Sequence, residues 1–396
     1  MTPDDVRAAA EQLVGFHEEF APLFGMRQAQ LHAFDYVNGL MTCPERKSVE
    51  PIALLVGHGD VSGLQKFINS APWDRDDVRD EIQAVFARRL APSAAGTAVG
   101  VVGVIDESGF SKKGAHSAGV ANQHNGRLDK TDNCQVGVFL VGVAPAGVVM
   151  LDHQLYLPES WCREDPATRG RRDTSRVPEA VAFRTKPQIA AALIHHVAVL
   201  GEVELDWITA DSAYGKNGPL MTEPEAGGRR YVMEAPASVT VWVRDPEGRV
   251  GRDRNAPTVA AVAASIPDDA WLRLSPRAGA KGPLVLEFAA VRVWSVRETR
   301  PGPPIWLLVR RSLGPKPEPK YYVSNGPADT PLEVLAQVAC TRHVVEEYFE
   351  DAKTYLGMAQ YETRSYVGWH HHMTLVALAH LFITLTRAAL KKKSRN

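Results

Sequence analysis

At 396 residues, 45% hydrophobic and 23% charged, the chain has the make-up of a globular protein, with length for two or three domains and a large core. A formal net charge of −1 excludes a globally basic nucleic-acid binder but leaves room for a basic groove offset by acidic surface elsewhere. The cysteines, Cys43, Cys134, Cys162 and Cys340, form no Cys-x-x-Cys pair, which argues against a zinc site or a disulfide framework and fits a reducing cytoplasm.

The opening "MTPDDVRAAAEQLVGFHEEF" is acidic and amphipathic, unlike a signal peptide. Residues 1–95 read as an all-helical N-terminal domain. Apolar positions recur three and four apart, at Val6, Ala10, Leu13 and Phe16 and again at Val78, Ile82, Val85 and Phe86. In "APWDRDDVRDEI", Asp74 is placed to cap a helix with an acidic first turn. The small residues of "APSAAGTAVG" (91–100) suggest a flexible linker.

Residues 96–235 are the first part of a mixed α/β sheet. "AVGVVGVID", "CQVGVFLVGVAP" and "GVVMLDHQLYLP" are β-rich runs. A helix follows over 186–201 with Gly201 as its C-cap, then the strand "LDWITADSAYG", stopping at Asp211, and the strand "RRYVMEAP". Three successive strands fit antiparallel hairpins, and the helix crossover permits a parallel neighbour. Residues 236–328 are a β-rich insertion broken by proline and glycine. Residues 329–396 hold two long helices and a basic tail, the first helix running through "PLEVLAQVACTRHVVEEYFEDAKTYLG". The apolar "MTLVALAHLFITLT" is too short to span a bilayer and contains His380, so a soluble protein without membrane contact is expected.

Two strands end in aspartate, Asp106 in "VVGVIDESG" and Asp211 in "DWITADSAYG". Alone, each is an ordinary acid at a strand end. Adjacent strand ends in a mixed sheet, however, can bring both within reach of one hard cation such as magnesium, which prefers oxygen ligands. Glu107 alternates to the opposite face of its strand. A third carboxylate would come from a helix packed on the sheet, and "TRHVVEEYFEDAKTYLG" offers Glu346, Glu347 and Glu350. Arg342, Glu346, Glu350 and Lys353 fall along one side, next to the apolar stripe Val345, Phe349, Ala352 and Leu356. Glu346 borders that stripe. The plain alternative is a solvated face with pairs such as Arg342–Glu346.

"WHHHM" (369–373) reads as packing at a helix start, with a phosphate contact as an additional role. Consecutive histidines point in different directions, and no further ligand sits at metal-site spacing. "RGRRDTSR" (169–176) and "RDPEGRVGRDR" (244–254) read as basic flexible loops, either solvated or in contact with a nucleic-acid backbone. Trp242, Trp271, Trp294 and Trp306 read as core rather than base-stacking residues.

"VVGVIDESGFSKKGAHSAGVANQHNGRLDKTDNCQVGVFL", "LYLPESW", "ITADSAYG" and "TRHVVEEYFEDAKTYLGMAQYETRSYVGWHHHMTL" resemble bacterial DDE transposases of the insertion-sequence 701 group, as does "RKSVEPIALLVGHGDVSGLQKFINSAPWD" (46–74). The resemblance implies an RNase H-like catalytic core with Asp106, Asp211 and Glu346 as catalytic and metal-binding residues. It also implies two Mg2+ ions, replaceable by Mn2+, and phosphate contacts from Arg342 and Lys353; Lys112 and Lys113, close after Asp106, are further phosphate candidates, with solvated loop charges as the plain alternative. Ala339 stands where related transposases carry a tyrosine, and His343 where the group often has tryptophan. The implied activity is cut-and-paste transposition: cleavage at transposon ends and strand transfer into target DNA. The implied partners are double-stranded DNA and a second copy of the chain in a synaptic complex, in the bacterial cytoplasm and on the nucleoid when DNA-bound. Residues 1–95 would bind DNA ends or mediate dimerisation. The rival expectations are a DNA-binding descendant without cleavage and a metal-dependent nuclease without strand transfer.

Overall fold

A computed structural model describes residues 3–56, 59–126, 130–199, 203–216, 218–244, 256–279, 282–297 and 300–393. Five helices come first: α1 Pro3–Phe20, α2 Arg27–Thr42, α3 Val49–Leu55, α4 Val61–Asn69 and α5 Arg75–Arg89. Asp74 caps α5, its carboxylate accepting the Asp76 N–H, with Asp76 and Asp77 in the first turn and Arg88 and Arg89 in the last. The small residues after α5 are ordered rather than a flexible linker. The Thr97 hydroxyl donates to the Ala94 carbonyl and accepts the Gly100 N–H. Gly100 has φ 74°, and a Cβ there would lie 2.1 Å from an Asp206 carboxylate oxygen. That carboxylate accepts the Val101 N–H at 2.8 Å, so smallness here serves a close approach.

The next elements are β1 Val102–Ser111, β2 Ala121–Asn125, β3 Lys130–Ala144, β4 Gly147–Leu155, α6 Pro166–Thr174, α7 Lys186–Val199, β5 Trp207–Ala210, α8 Gly218–Ala226 and β6 Arg230–Ala235. β3 runs antiparallel to both β1 and β4, whereas β5 is parallel to β1 and β6 is parallel to β5. The order β4-β3-β1-β5-β6, with only β3 reversed, is the RNase H-like sheet. Gly201, expected to cap the helix over 186–201, lies outside the described residues.

Residues 236–328 contribute β7 Val241–Trp242, α9 Val259–Ala264, β8 Leu272–Gly279, β9 Gly282–Arg297, β10 Arg300–Arg311 and β11 Pro319–Ser324. β11 pairs antiparallel with β6, from Tyr321↔Ala235 to Ser324↔Val232. The strands of this segment therefore extend the core sheet. The chain then returns as α10 Leu332–Thr341, α11 His343–Tyr355 and α12 Tyr366–Lys393. The long helix expected over 331–357 is divided at Arg342.

The apolar stretch 373–386 lies within the longer α12. By length and composition this helix could cross a membrane, with mean hydropathy 1.7 over its most apolar window. Here it is buried without interruption from Gly368 to Phe382, packed against β4, α2 and α5. A helix surrounded on all sides explains the histidine run. His370 bonds the Tyr366 carbonyl, His371 stacks on Trp73 at 3.8 Å and bonds the Ile68 carbonyl, and His372 bonds the Tyr36 hydroxyl. All three are buried and none can reach a phosphate from there.

Candidate active site

β1 is flanked by β3 along its whole length, but its parallel pairing with β5 stops at Ile105↔Ala210. The next step of that register sets Asp106 beside Asp211, where β5 leaves the sheet. Asp106 is thus not at the end of its strand, as the sequence suggested. β3 carries β1 on to Ser111, and only the β5 side has come free. Strand alternation turns Asp106 and Ser108 toward α11 and Glu107 to the other face, where Lys186 at the start of α7 pairs with it at 2.7 Å.

Asp106 is nearly buried, its side chain 13% exposed. Burial, reinforced by the charge of Asp211, pushes its pKa up to about 7, against the opposing pull of Arg342 and of the Glu107 N–H. Asp211 is fixed by its own turn, in which the carboxylate accepts the Ala213 N–H at 2.9 Å and the carbonyl accepts those of Tyr214 and Gly215. Gly215 is required by packing, because a Cβ there would fall 1.8 Å from the Glu234 carbonyl oxygen of β6.

Glu346 stands in the first turn of α11, its side chain 46% exposed, accepting from Arg342 Nη2 at 2.6 Å and paired with His343 Nδ1 at 2.9 Å. Arg342 also approaches Asp106 at 3.5 Å and Glu234 at 3.6 Å. Burial works against its charge, but these carboxylates outweigh burial and hold its pKa above the ordinary value. Two turns along α11, Lys353 donates to the Ser108 hydroxyl at 2.6 Å and lies 5.3 Å from the Phe110 ring centre.

One cleft of about 670 Å³ is lined by Asp106, Ser108, Asp211, Glu346, Glu350 and Lys353. Glu347 turns away, 61% exposed, toward His343. The expected triad therefore shares a cleft but is not drawn tight. Among the described residues no three His, Cys, Asp or Glu side chains are grouped closely enough to hold one metal ion. Arg342 pairs with both Glu346, at 2.6 Å, and Asp106, at 3.5 Å.

The other expected phosphate contacts lie elsewhere. Lys112 is about 20 Å farther along the strand at ~3.3 Å per residue. It lies 3.4 Å over the Tyr361 ring, and burial, with Arg46 nearby, lowers its pKa to about 7. Lys113 is exposed on the turn after β1. The "RGRR" stretch is largely helical (α6), and its arginines tie down the chain. Arg171 donates to the Ser160 carbonyl and covers Trp161, while Arg172 reaches the Trp161, Pro178 and Val181 carbonyls. Of 244–254, all but Arg244 lies outside the described residues. Trp242 is buried, Arg311 covers Trp271 at 3.9 Å, and Trp306 donates to the Pro327 carbonyl.

Sequence reasoning missed Ser108, Glu234 and Tyr214. Ser108 was within reach, because period-two alternation places it on the face of Asp106. Glu234 required knowing that β6 lies next to β5. The Tyr214 hydroxyl is buried without a hydrogen-bond partner, its pKa raised first by burial and then by Glu107, Asp106 and Asp211.

A sheet of this order, with two carboxylates side by side where the parallel pairing ends, defines a core of the RNase H-like fold class. The chain belongs to the DDE superfamily endonucleases: that family's model matches residues 19–283, which include Asp106 and Asp211 and end before Glu346. It is also 30% identical over 187 residues to "Probable transposase for insertion sequence element IS701" of Microchaete diplosiphon, a match spanning 47% of this chain and 43% of that protein. Among solved structures, the NurA nuclease from Sulfolobus solfataricus aligns with 60% of this chain and 72% of its own at 11% identity and TM-score 0.28. The fold assignment rests on the strand order, not on that likeness.

Proposed function

We propose that the cleft cleaves DNA at the ends of a mobile element and joins the freed 3′-ends to target DNA, with Asp106, Asp211 and Glu346 as the metal-binding and catalytic residues. The observation that carries this reading is the register: one step beyond Ile105↔Ala210 places two carboxylates together, in a cleft that Glu346 also lines. The donor set fits a hard divalent cation. It is all oxygen, and the nearly buried Asp106, beside the like charge of Asp211, resists ionisation on its own, as its raised pKa records. Two Mg2+ ions, or Mn2+ in their place, would supply charge stabilisation to an in-line displacement at phosphorus.

The chain's own residues do the rest. Asp106 and Asp211 are preorganised by β1 and by the Ala213 turn, whereas Glu346 swings on α11 once Arg342 lets go. Arg342, freed from Glu346, becomes a bidentate donor to a strand phosphate. Lys353, held at Ser108, marks the far end of the same strand path. The helices over 1–95 would grip element ends or pair two copies in a synaptic complex, and the protein would act in the cytoplasm, on the nucleoid. Purified protein, magnesium and DNA bearing the flanking repeats provide the test. Nicked and joined products should appear with wild type and vanish with Asp106→Ala, and cutting that survives the substitution would refute the assignment. Cutting without joining would favour a simple nuclease.

A further inference from the structure

Arg342 and Glu346 line a second cavity as well, of about 310 Å³, whose other wall is made by the strands of residues 236–328. The register explains what that wall presents. Arg310 on β10 is directly opposite Lys320 on β11, Arg277 on β8 is opposite Leu284 on β9, and Tyr322 on β11 is opposite Glu234 on β6. All of them line the cavity, so one face of the extended sheet points its cations at α10 and α11.

That is a costly arrangement for a structural wall. Like charges directly across a strand pair repel. Glu234 is shared between Lys320 at 3.1 Å and Arg342 at 3.6 Å, and Arg310 lies against the Cys340 thiol, a weak acceptor. Four cations (Arg277, Arg310, Lys320 and Arg342) face two carboxylates (Glu234 and Glu346) in a space too small for a base pair but ample for a phosphate. The positive excess is confined to a pocket that shares Glu346 with the catalytic cleft.

We propose that this pocket is a second phosphate-binding site, in which Arg277, Arg310 and Lys320 hold a backbone phosphate of the DNA strand that passes Glu346. It rests on the DNA-cleaving reading above and deepens it. Residues 236–328 then contribute to substrate positioning by extending the core sheet, and the contact reads no bases.

The test uses the full chain in EDTA, so that no cleavage intervenes, and the anisotropy of two labelled duplexes of unrelated sequence across a salt series. Removing one phosphate contact should lower the slope of log K against log salt by about 0.9 and weaken both duplexes alike. Arg277→Gln and Lys320→Gln should each show this, Lys320→Arg should restore the slope, and Arg163→Gln, exposed between β4 and α6, should match wild type. Unchanged melting temperatures certify the fold of each variant. Slopes equal to wild type in both glutamine variants would overturn the pocket while leaving the catalytic cleft untouched. Failure of the wild-type protein to bind either duplex would instead sink the DNA-acting reading, and the pocket with it.

Discussion

At the scale of single residues, the site trades stability for readiness. Asp106 and Asp211 are neighbours, and the buried member resists ionisation. In metal-free protein, Asp106→Asn should therefore raise stability by about 1 kcal/mol, read as a higher melting temperature at pH 7.5 in EDTA, while abolishing cleavage. A lower melting temperature would mean that Arg342 already neutralises the pair. Arg342 predicts the complementary result. Its removal leaves Glu346, Glu234 and Asp106 without their shared cation, so Arg342→Ala should cost about 1–3 kcal/mol in urea unfolding, discounted for the partial exposure of Glu346. Magnesium should recover part of that stability, and Arg342→Lys should not, because a lysine cannot span three carboxylates. If magnesium stabilises wild type and Arg342→Ala equally, Arg342 does not compete for the cation's place.

At the scale of elements, much of the site was legible because it depends on local periodicity. The Asp74 cap, the turn of Glu107 to the face opposite Asp106 and the shared side of Arg342, Glu346 and Lys353 all follow from repeats of 2 and 3.6 residues. What could not be read was pairing. β1 seemed to end at Asp106 because its hydrophobic run ends there, yet the strand persists on the support of β3, a partner set by long-range register. The basic "RGRR" stretch looked like a loop for the same reason: its arginines are satisfied by carbonyls that only the fold brings near. Gly215 combines both kinds of information. The sequence shows a glycine after Asp211, and the structure shows the Glu234 carbonyl where a Cβ would be. Backbone cannot yield as a side-chain tip can, so Gly215→Ala should cost about 2 kcal/mol. It should also lower cleavage more than Ala213→Gly does, since β6 and the Asp211 turn must part. Equal activity in the two variants would show that the turn tolerates the shift.

At the scale of the whole molecule, α12 makes the fold sensitive to acid. His153, His370, His371, His372 and His380 are all buried in or against this helix, and burial lowers each pKa: to about 3 for His153 and His372, about 4 for His371 and His380, and well below the ordinary value for His370. The groups facing them do not reverse this. Asp152 beside His153 is countered by Arg75 and Arg79, Lys112 near His372 disfavours its protonation further, and Asp351 near His380 is opposed by Arg387. In the unfolded chain these imidazoles regain a pKa near 6.5. Above that pH both states are neutral and the histidines leave stability flat. As pH falls below it, the unfolded state takes up protons that the folded state refuses, and each such histidine removes about 1.4 kcal/mol per pH unit. Asp106 and Glu223, whose pKa values burial raises, work in the opposite direction as pH falls, but they are two groups against five. The free energy of unfolding in urea should therefore drop steeply from pH 6.5 toward 4.5, with a slope corresponding to several protons. His372→Asn should reduce that slope by about one proton, whatever it does to stability at pH 7.5, because the substitution removes a titrating group while an amide can still meet the Tyr36 hydroxyl. A pH-independent unfolding free energy over that range would mean that α12 is more open to water than its packing indicates.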